Sequence, residues 1–194
     1  MKEIVQDGHE RAGAEVLREI AKPVPEELFG SDKLVRLIAD MAEVLDTKLE
    51  GVALAAPQVG VSWRLFIVRK DRTLPLPSPN TKGSILAQNS QGRTLEPKPE
   101  VEVYINPEII KTSRKKALAD EGCLSVDGVY GVTKRHERVT VKARRPDGSR
   151  FQRGGGGLLA QIFEHEIDHL NGVLFTDHAE NLIQVTPDKN EPAT

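Results

Sequence analysis

A single α+β domain spanning residues 1–194, with antiparallel strands packed around a central HExxH metal-binding helix, is the fold class this sequence predicts. Three observations lead there. Helical apolar spacing comes early, period-two alternation follows over several short segments, and one strong helical pattern returns near the end. Helices and strands segregated in this way give α+β layers, whereas βαβ units would alternate them.

The elements follow in order. A short helical stretch fits Ala12–Ile20, and Pro23 and Pro25 then force an extended turn. Ser31 is placed to cap a helix over residues 32–48, whose apolar face is Leu34, Leu37, Ile38, Met41, Val44 and Leu45. Strands fit residues 51–56 and 63–69, the second carrying Leu65, Phe66, Ile67 and Val68. Residues 71–100 hold five of the chain's twelve prolines and read as a long mobile loop rather than a linker to another domain. Further strands fit residues 101–110 and 136–144, where Val139, Val141 and Ala143 alternate with polar residues. The glycines Gly154 to Gly157 lack the Lys-Ser/Thr of a phosphate loop and read as a tight turn into a helix starting at Leu158. A frayed tail is expected over residues 184–194.

The last helix carries Glu164-His165-Glu166-Ile167-Asp168-His169. His165 and His169 stand one turn apart on one helical face, so two imidazoles can grip one metal ion. Glu166 is placed beside that ion as a general base. Two histidines leave a catalytic site one protein ligand short. The single cysteine, Cys123, lies in Asp120-Glu121-Gly122-Cys123-Leu124-Ser125 and reads as a placed ligand or nucleophile. A third segment, Gly51-Val52-Ala53-Leu54-Ala55-Ala56-Pro57-Gln58, offers the neutral amide of Gln58, a donor suited to an oxyanion. Asp168 is expected to orient an imidazole or to pair with a nearby cation.

These three segments, in this order and spacing, resemble the peptide deformylase family, marked by G-x-G-L-A-A-x-Q, E-G-C-L-S and H-E-x-D-H. The match runs from about Val16 to Phe175 and departs at Ala53, where the family usually has glycine. The resemblance implies Cys123, His165 and His169 as metal ligands and Glu166 as general acid and base. It implies Gln58 and the backbone N–H of Leu124 as oxyanion donors, and a substrate pocket at Val52, Ala53, Gly122, Leu158 and Ile162. It implies one divalent ion, Fe²⁺ foremost, with Zn²⁺, Ni²⁺ or Co²⁺ compatible with the ligand set. The implied substrate is the N-formyl-methionyl end of a nascent peptide, released as formate and a free amine. The residue pattern leaves two other classes in view: an HExxH zinc peptidase with a different third ligand, and a non-catalytic metal-binding descendant in which the Ala53 methyl obstructs the peptide.

Composition agrees with a cytoplasmic, bacterial-type enzyme. There are 27 basic and 29 acidic side chains, so net charge demands neither nucleic acid nor membrane as a partner. No apolar run is long enough to cross a bilayer, and the first residues lack the apolar core of a secretory signal. The basic residues Lys134, Arg135, Arg138, Lys142, Arg144 and Arg145 read as a solvated face, with a transient ribosome contact as the sharper alternative. His9, His136 and His178 read as surface or hydrogen-bonded histidines, and Glu164 as structural.

Overall fold

The computed structural model describes residues 2–7, 14–73, 100–185 and the backbone of two short strands, 87–88 and 94–95. Its helices are α1 (Asp32–Asp46), α2 (Lys70–Thr73) and α3 (Leu158–Leu170). Its strands are β1 (Ala53–Ala55), β2 (Leu65–Arg69), β3 (Ala87–Gln88), β4 (Thr94–Leu95) and β5 (Val101–Thr112), then β6 (Lys116–Cys123), β7 (Val126–His136), β8 (Arg138–Arg144), β9 (Arg150–Gly156) and β10 (Glu180–Gln184). They form antiparallel sheets in the orders β1-β2-β5-β8-β9, β10-β7-β6 and β3-β4. The fold is mixed α/β with antiparallel sheets.

Period-two alternation explains how the five-stranded sheet is held on both faces. Leu54, Leu65, Ile67 and Ile105 pack with Leu34, Leu37, Met41, Val44 and Leu45 of α1. The intervening residues Ala53, Ala55, Phe66, Val68 and Tyr104 pack with Ala160, Ile162, Phe163, Ile167 and Leu170 of α3. Phe66 and Tyr104 stack at 4.6 Å between ring centroids, and Phe163 meets Tyr104 edge-on at 5.3 Å. As expected, Ser31 caps α1, its side chain accepting from the Leu34 N–H at 3.3 Å.

Other expectations need correction. Gly154, Gly155 and Gly156 are not a turn but the end of β9, paired with Thr140, Val139 and Arg138. Only Gly157, at φ 55°, makes the turn into α3. A Cβ on Gly155 would lie 2.7 Å from Leu159 Cγ, so this glycine lets α3 come close to β9. The expected helix at Ala12–Ile20 is, among described residues, a 3-10 turn over Ala14–Leu17. Within the expected loop, Lys70–Thr73 is a helical turn and 87–88 pairs with 94–95; the rest of 74–99 lies outside the described residues. Gln184 ends β10, paired with Val129, and residues 186–194 of the expected tail lie outside the description. His9 lies outside it too.

The carboxyl end of α3 is fixed by the amino-terminal segment. Ala21 N–H donates to the Leu170 carbonyl at 3.0 Å, and Arg64 reaches the same carbonyl and the Asn171 side chain. Gly172, at φ 73°, permits this, because a Cβ there would lie 2.5 Å from the Arg18 carbonyl oxygen. Gly30 has a similar φ of 75° but open space around its missing side chain. Gly30→Ala is therefore expected to cost about 1 kcal/mol of conformational strain alone. Gly172→Ala adds backbone overlap and is expected to cost at least about 3 kcal/mol. Urea unfolding of the two variants side by side measures the difference; equal losses would mean that the close approach at Gly172 contributes nothing.

Candidate active site

On α3, His165 and His169 are separated by one turn, and their ring centroids lie 4.9 Å apart. Cys123, at the end of β6, brings its Sγ to 3.3 Å from His169 Nε2. One donor atom from each of Cys123, His165 and His169 lies within 4.8 Å of the others. Three residues distant in sequence thus converge on one point.

The surroundings orient these side chains. His165 Nδ1 sits 3.1 Å from Glu121 Oε2, which leaves its Nε2 for the cluster. Glu121 is itself buried and held by the Thr133 hydroxyl at 2.8 Å and by Arg135 through Nε at 2.7 Å and Nη2 at 3.0 Å. The third guanidinium nitrogen donates to Asp168 Oδ2 at 2.6 Å. Burial alone would raise the Glu121 carboxyl, but its bonds to His165 and Arg135 win and hold it well below the usual carboxylate range. Arg135 was expected on a solvated basic face; it is buried instead, because its strand position points it at two carboxylates beneath the sheet. Asp168 pairs with a cation rather than with an imidazole ligand directly, although His178 Nε2 approaches it to 3.9 Å.

Gln58 lies in the 3-10 turn Ala56–Val59 that follows β1, with Pro57 at its start. Its Oε1 accepts from the Ala55 N–H at 2.8 Å, so the amide cannot rotate freely. The Nε2 then faces Cys123 Sγ at 3.5 Å and Ser125 Oγ at 3.2 Å. Ser125 also donates its N–H to Cys123 Sγ at 3.4 Å.

Glu166 is buried, its Oε2 has no hydrogen-bond partner, and burial pushes its carboxyl up to about 7. The buried His169 is pushed well below the ordinary histidine range by desolvation, so its imidazole is neutral. A neutral imidazole, a second imidazole oriented by a carboxylate, and a lone thiol suit a divalent cation. The Glu166 Oε2, with no partner among the described residues, leaves one acceptor beside the cluster for a further polar group. The residues present fit a metal centre.

A cavity of about 480 Å³ opens onto this cluster. Val52, Ala53, Gly122, Leu124, Leu158 and Ile162 line it, together with Gln58, Cys123, His165 and Glu166. His169 lies behind it, 1% exposed, touching Cys123. Gly122 is required by its neighbour, since a Cβ there would fall 2.8 Å from the Tyr130 ring. Tyr130 in turn donates to Glu50 Oε2 at 3.2 Å across the mouth. Sequence reasoning gave no part in the site to Glu121, Arg135, Ser125, Tyr130 or Gln161. Only Glu121 carried a signal, standing two residues before Cys123 and hence on the same face of a strand.

The chain can now be set beside known proteins. A family model described as polypeptide deformylase matches residues 1–184. A peptide deformylase of Dehalococcoides mccartyi is 39% identical over 180 residues, covering 91% of this chain and 90% of that protein. The actinonin-bound class I type b peptide deformylase of Acinetobacter baumannii superposes with a TM-score of 0.72 at 30% identity, covering 93% of this chain and 99% of that one. A Met-Ala-Ser-bound structure of class I type b peptide deformylase from the same organism gives 0.69 at 31% identity, covering 90% and 96%. With one family pattern running through nearly its whole length, this chain belongs to the polypeptide deformylase family and is an enzyme.

Proposed function

We propose that this chain removes the N-formyl group from the N-terminal methionine of newly made polypeptides, releasing formate. The observation that carries this reading is the convergence of Cys123, His165 and His169 beside the buried Glu166, whose Oε2 has no hydrogen-bond partner among the described residues. The Met-Ala-Ser ligand of the Acinetobacter baumannii protein supports a formyl-methionyl peptide as substrate. So does topology. β1 and β6 are each the outer strand of a sheet, and residues of both line the cavity. Facing strand edges accept an extended peptide.

Cys123 Sγ and the Nε2 atoms of His165 and His169 would hold one divalent ion, and Fe²⁺ is our choice among the ions that a thiolate and two imidazoles accept, Zn²⁺, Ni²⁺ and Co²⁺ being the others. When bound, such an ion supplies Lewis acidity, polarising the carbonyl and lowering the pKa of water from ~15.7 toward ~7. The chain's own residues do the rest. Glu166 takes a proton from the attacking water as its oxygen bonds to the formyl carbon, then delivers that proton to the departing amine nitrogen as the C–N bond breaks. The Gln58 Nε2–H and the Leu124 backbone N–H donate to the oxygen on which charge grows, each good donor being worth roughly 3 kcal/mol. Val52, Ala53 and Gly122 flank the peptide backbone, and Leu158 and Ile162 meet the methionine side chain. An HExxH peptidase with another third ligand leaves Cys123 and its Glu121 brace without a purpose. A non-catalytic descendant leaves unexplained an intact Glu166 and a Gln58 locked in place.

We read residues 1–194 as one catalytic domain, with the HExxH helix as its central element, because both hydrophobic clusters share the five-stranded sheet. A cytoplasmic location and a transient contact with the ribosome follow from the substrate, which emerges there. No helix among the described residues is long and apolar enough to cross a membrane.

Formate release from formyl-Met-Ala-Ser, by protein reconstituted anaerobically with Fe²⁺, Ni²⁺ or Zn²⁺ in parallel, tests the activity. Release is expected with at least one ion, and none with any bound ion would remove the reading. Glu166→Ala should keep its metal while turnover falls by about 10³ or more; loss of the metal, or near-normal turnover, would contradict the proton-carrying role. Arg135→Leu leaves Glu121 buried without its guanidinium partner, held only by Thr133 and His165, and loosens the brace on His165. Metal affinity is expected to fall by about 10–100-fold, read by competition with a chelator. An unchanged affinity would show that the Glu121 brace does not set the ligand.

A further inference from the structure

Residues 2–7 run as a strap across the two segments that carry Gln58 and Cys123. Val5 N–H donates to the Gln58 carbonyl at 2.8 Å, and Lys2 Nζ reaches the next carbonyl, that of Val59, at 3.3 Å. Asp7 N–H donates to the Ser125 carbonyl at 2.8 Å, and Gln6 Nε2 donates to the Leu124 carbonyl at 2.8 Å. The strap is anchored on both sides of Gln6. Ile4 packs against the apolar cluster of α1, and the Asp7 carboxylate meets Arg18 at 2.9 Å, while Arg18 also holds Asp177. The Gln6 contact differs from the others, because a side chain acts there on the peptide unit between Leu124 and Ser125. That unit is planar and trans, so its C=O and N–H point opposite ways. Gln6 takes the C=O, and the N–H donates to Cys123 Sγ at 3.4 Å. A peptide group bonded at its oxygen is a stronger donor at its nitrogen. Gln58 Nε2 also faces Sγ at 3.5 Å, but the reading above gives that N–H to the substrate oxygen. Ser125 N–H is then the donor that stays on the sulfur.

We propose that Gln6 is a positioning residue of the active site: through the Leu124–Ser125 peptide it holds the Ser125 N–H on Cys123 Sγ and fixes Leu124. This inference rests on the deformylase reading, which makes Cys123 a metal ligand and Leu124 N–H an oxyanion donor. A hydrogen bond to a ligating sulfur draws charge from it, and so tunes what the thiolate gives to a bound ion. Gln6 is half-buried and lines the cavity, so a direct grip on the peptide is the competing role. The two roles differ in what they do to the sulfur.

The test is the near-ultraviolet absorption of the protein loaded with Co²⁺, where charge transfer from the Cys123 sulfur to cobalt gives a band. Gln6→Met keeps the reach of the side chain and removes the donor. Its band is expected at longer wavelength than that of the unsubstituted chain, because a sulfur relieved of hydrogen bonding gives up charge at lower energy. In the same cobalt-loaded protein, kcat for formyl-Met-Ala-Ser should fall about ten-fold with KM held within about two-fold. Lys2→Met loosens the strap without touching Leu124, and should leave both band and kcat in place. Gln6→Glu turns an acceptor toward the Leu124 carbonyl; it is expected to move the band in the same sense, and it stands in if Gln6→Met binds no cobalt. A band unmoved by the Gln6 substitutions overturns the proposal, as does an equal shift from Lys2→Met or loss of cobalt from both Gln6 variants. A raised KM with kcat unchanged overturns it too, since Gln6 would then hold the peptide directly. Absence of the band in the cobalt-loaded unsubstituted chain, or of formate release with any ion, is a separate result. It overturns the deformylase reading and this inference with it.

Discussion

The buried contact between Glu121 and Arg135 is what the rest of the site depends on. Burying an ion pair is costly, and hydrophobic replacements often match it for stability, so the pair is poor value as glue. Its worth lies in geometry. A guanidinium presents its donors in a rigid plane, and here that plane binds both oxygens of Glu121 while the third nitrogen reaches Asp168 on α3. Glu121 passes this rigidity to His165 Nδ1. The strand that supplies Cys123 and the helix that supplies both histidines are thus locked by the same charges that set the tautomer of one imidazole. Removing Arg135 leaves the buried Glu121 charge without a guanidinium, while removing Glu121 leaves Arg135 only its contact with Asp168, so losing either partner loosens the other.

The same economy governs Gln58. An amide that stabilises developing charge works best when it need not reorganise at the moment of reaction. The Ala55 N–H takes the carbonyl end of the Gln58 amide, which commits the NH₂ end to the Cys123 side. That bond is local, made within one turn of backbone, and the turn is anchored because β1 is buried between α1 and α3. Leu54 looks one way and Ala53 and Ala55 the other. Helix α1 packs on the face of the sheet opposite α3, and by filling that face it leaves the other to α3.

What could be read from the sequence was what depends on short range. The i, i+4 spacing of His165 and His169, the Ser31 cap and the apolar run of β2 are all set by residues within a turn or a strand of each other. The hairpin of β6 and β7 escaped because the side that meets α3 is carried by Ala119, Glu121 and Cys123 with Thr133 and Arg135, which is no hydrophobic alternation at all. Its core is an ion-pair network, and such a network becomes visible only when two strands and a helix are brought together. β9 escaped for the opposite reason: its Gly155 answers to Leu159 of α3, a partner that local propensity cannot anticipate. Arg135 could not be told from its exposed neighbours Lys134 and Arg138 by composition, since only its side of the strand distinguishes it.

Ala53 is where the chain departs from the motif its family carries, and the fold indicates how the extra methyl is absorbed. A side chain at this position can face either the peptide or the protein. Ala53 is 7% exposed and belongs to the same buried cluster as Ala55, Phe66, Val68 and Ile162. Its methyl therefore spends most of its surface on the packing between β1 and α3, where a glycine would leave a gap. What β1 offers at the cavity is then chiefly backbone, and backbone N–H and C=O groups at a strand edge are the same for alanine as for glycine. A change that would block the groove if the methyl faced outward becomes, facing inward, a filler beneath it. The departure from the motif is thus a packing substitution, and it gives no physical reason for the neighbouring Gln58, Cys123 and Glu166 to have lost their chemistry.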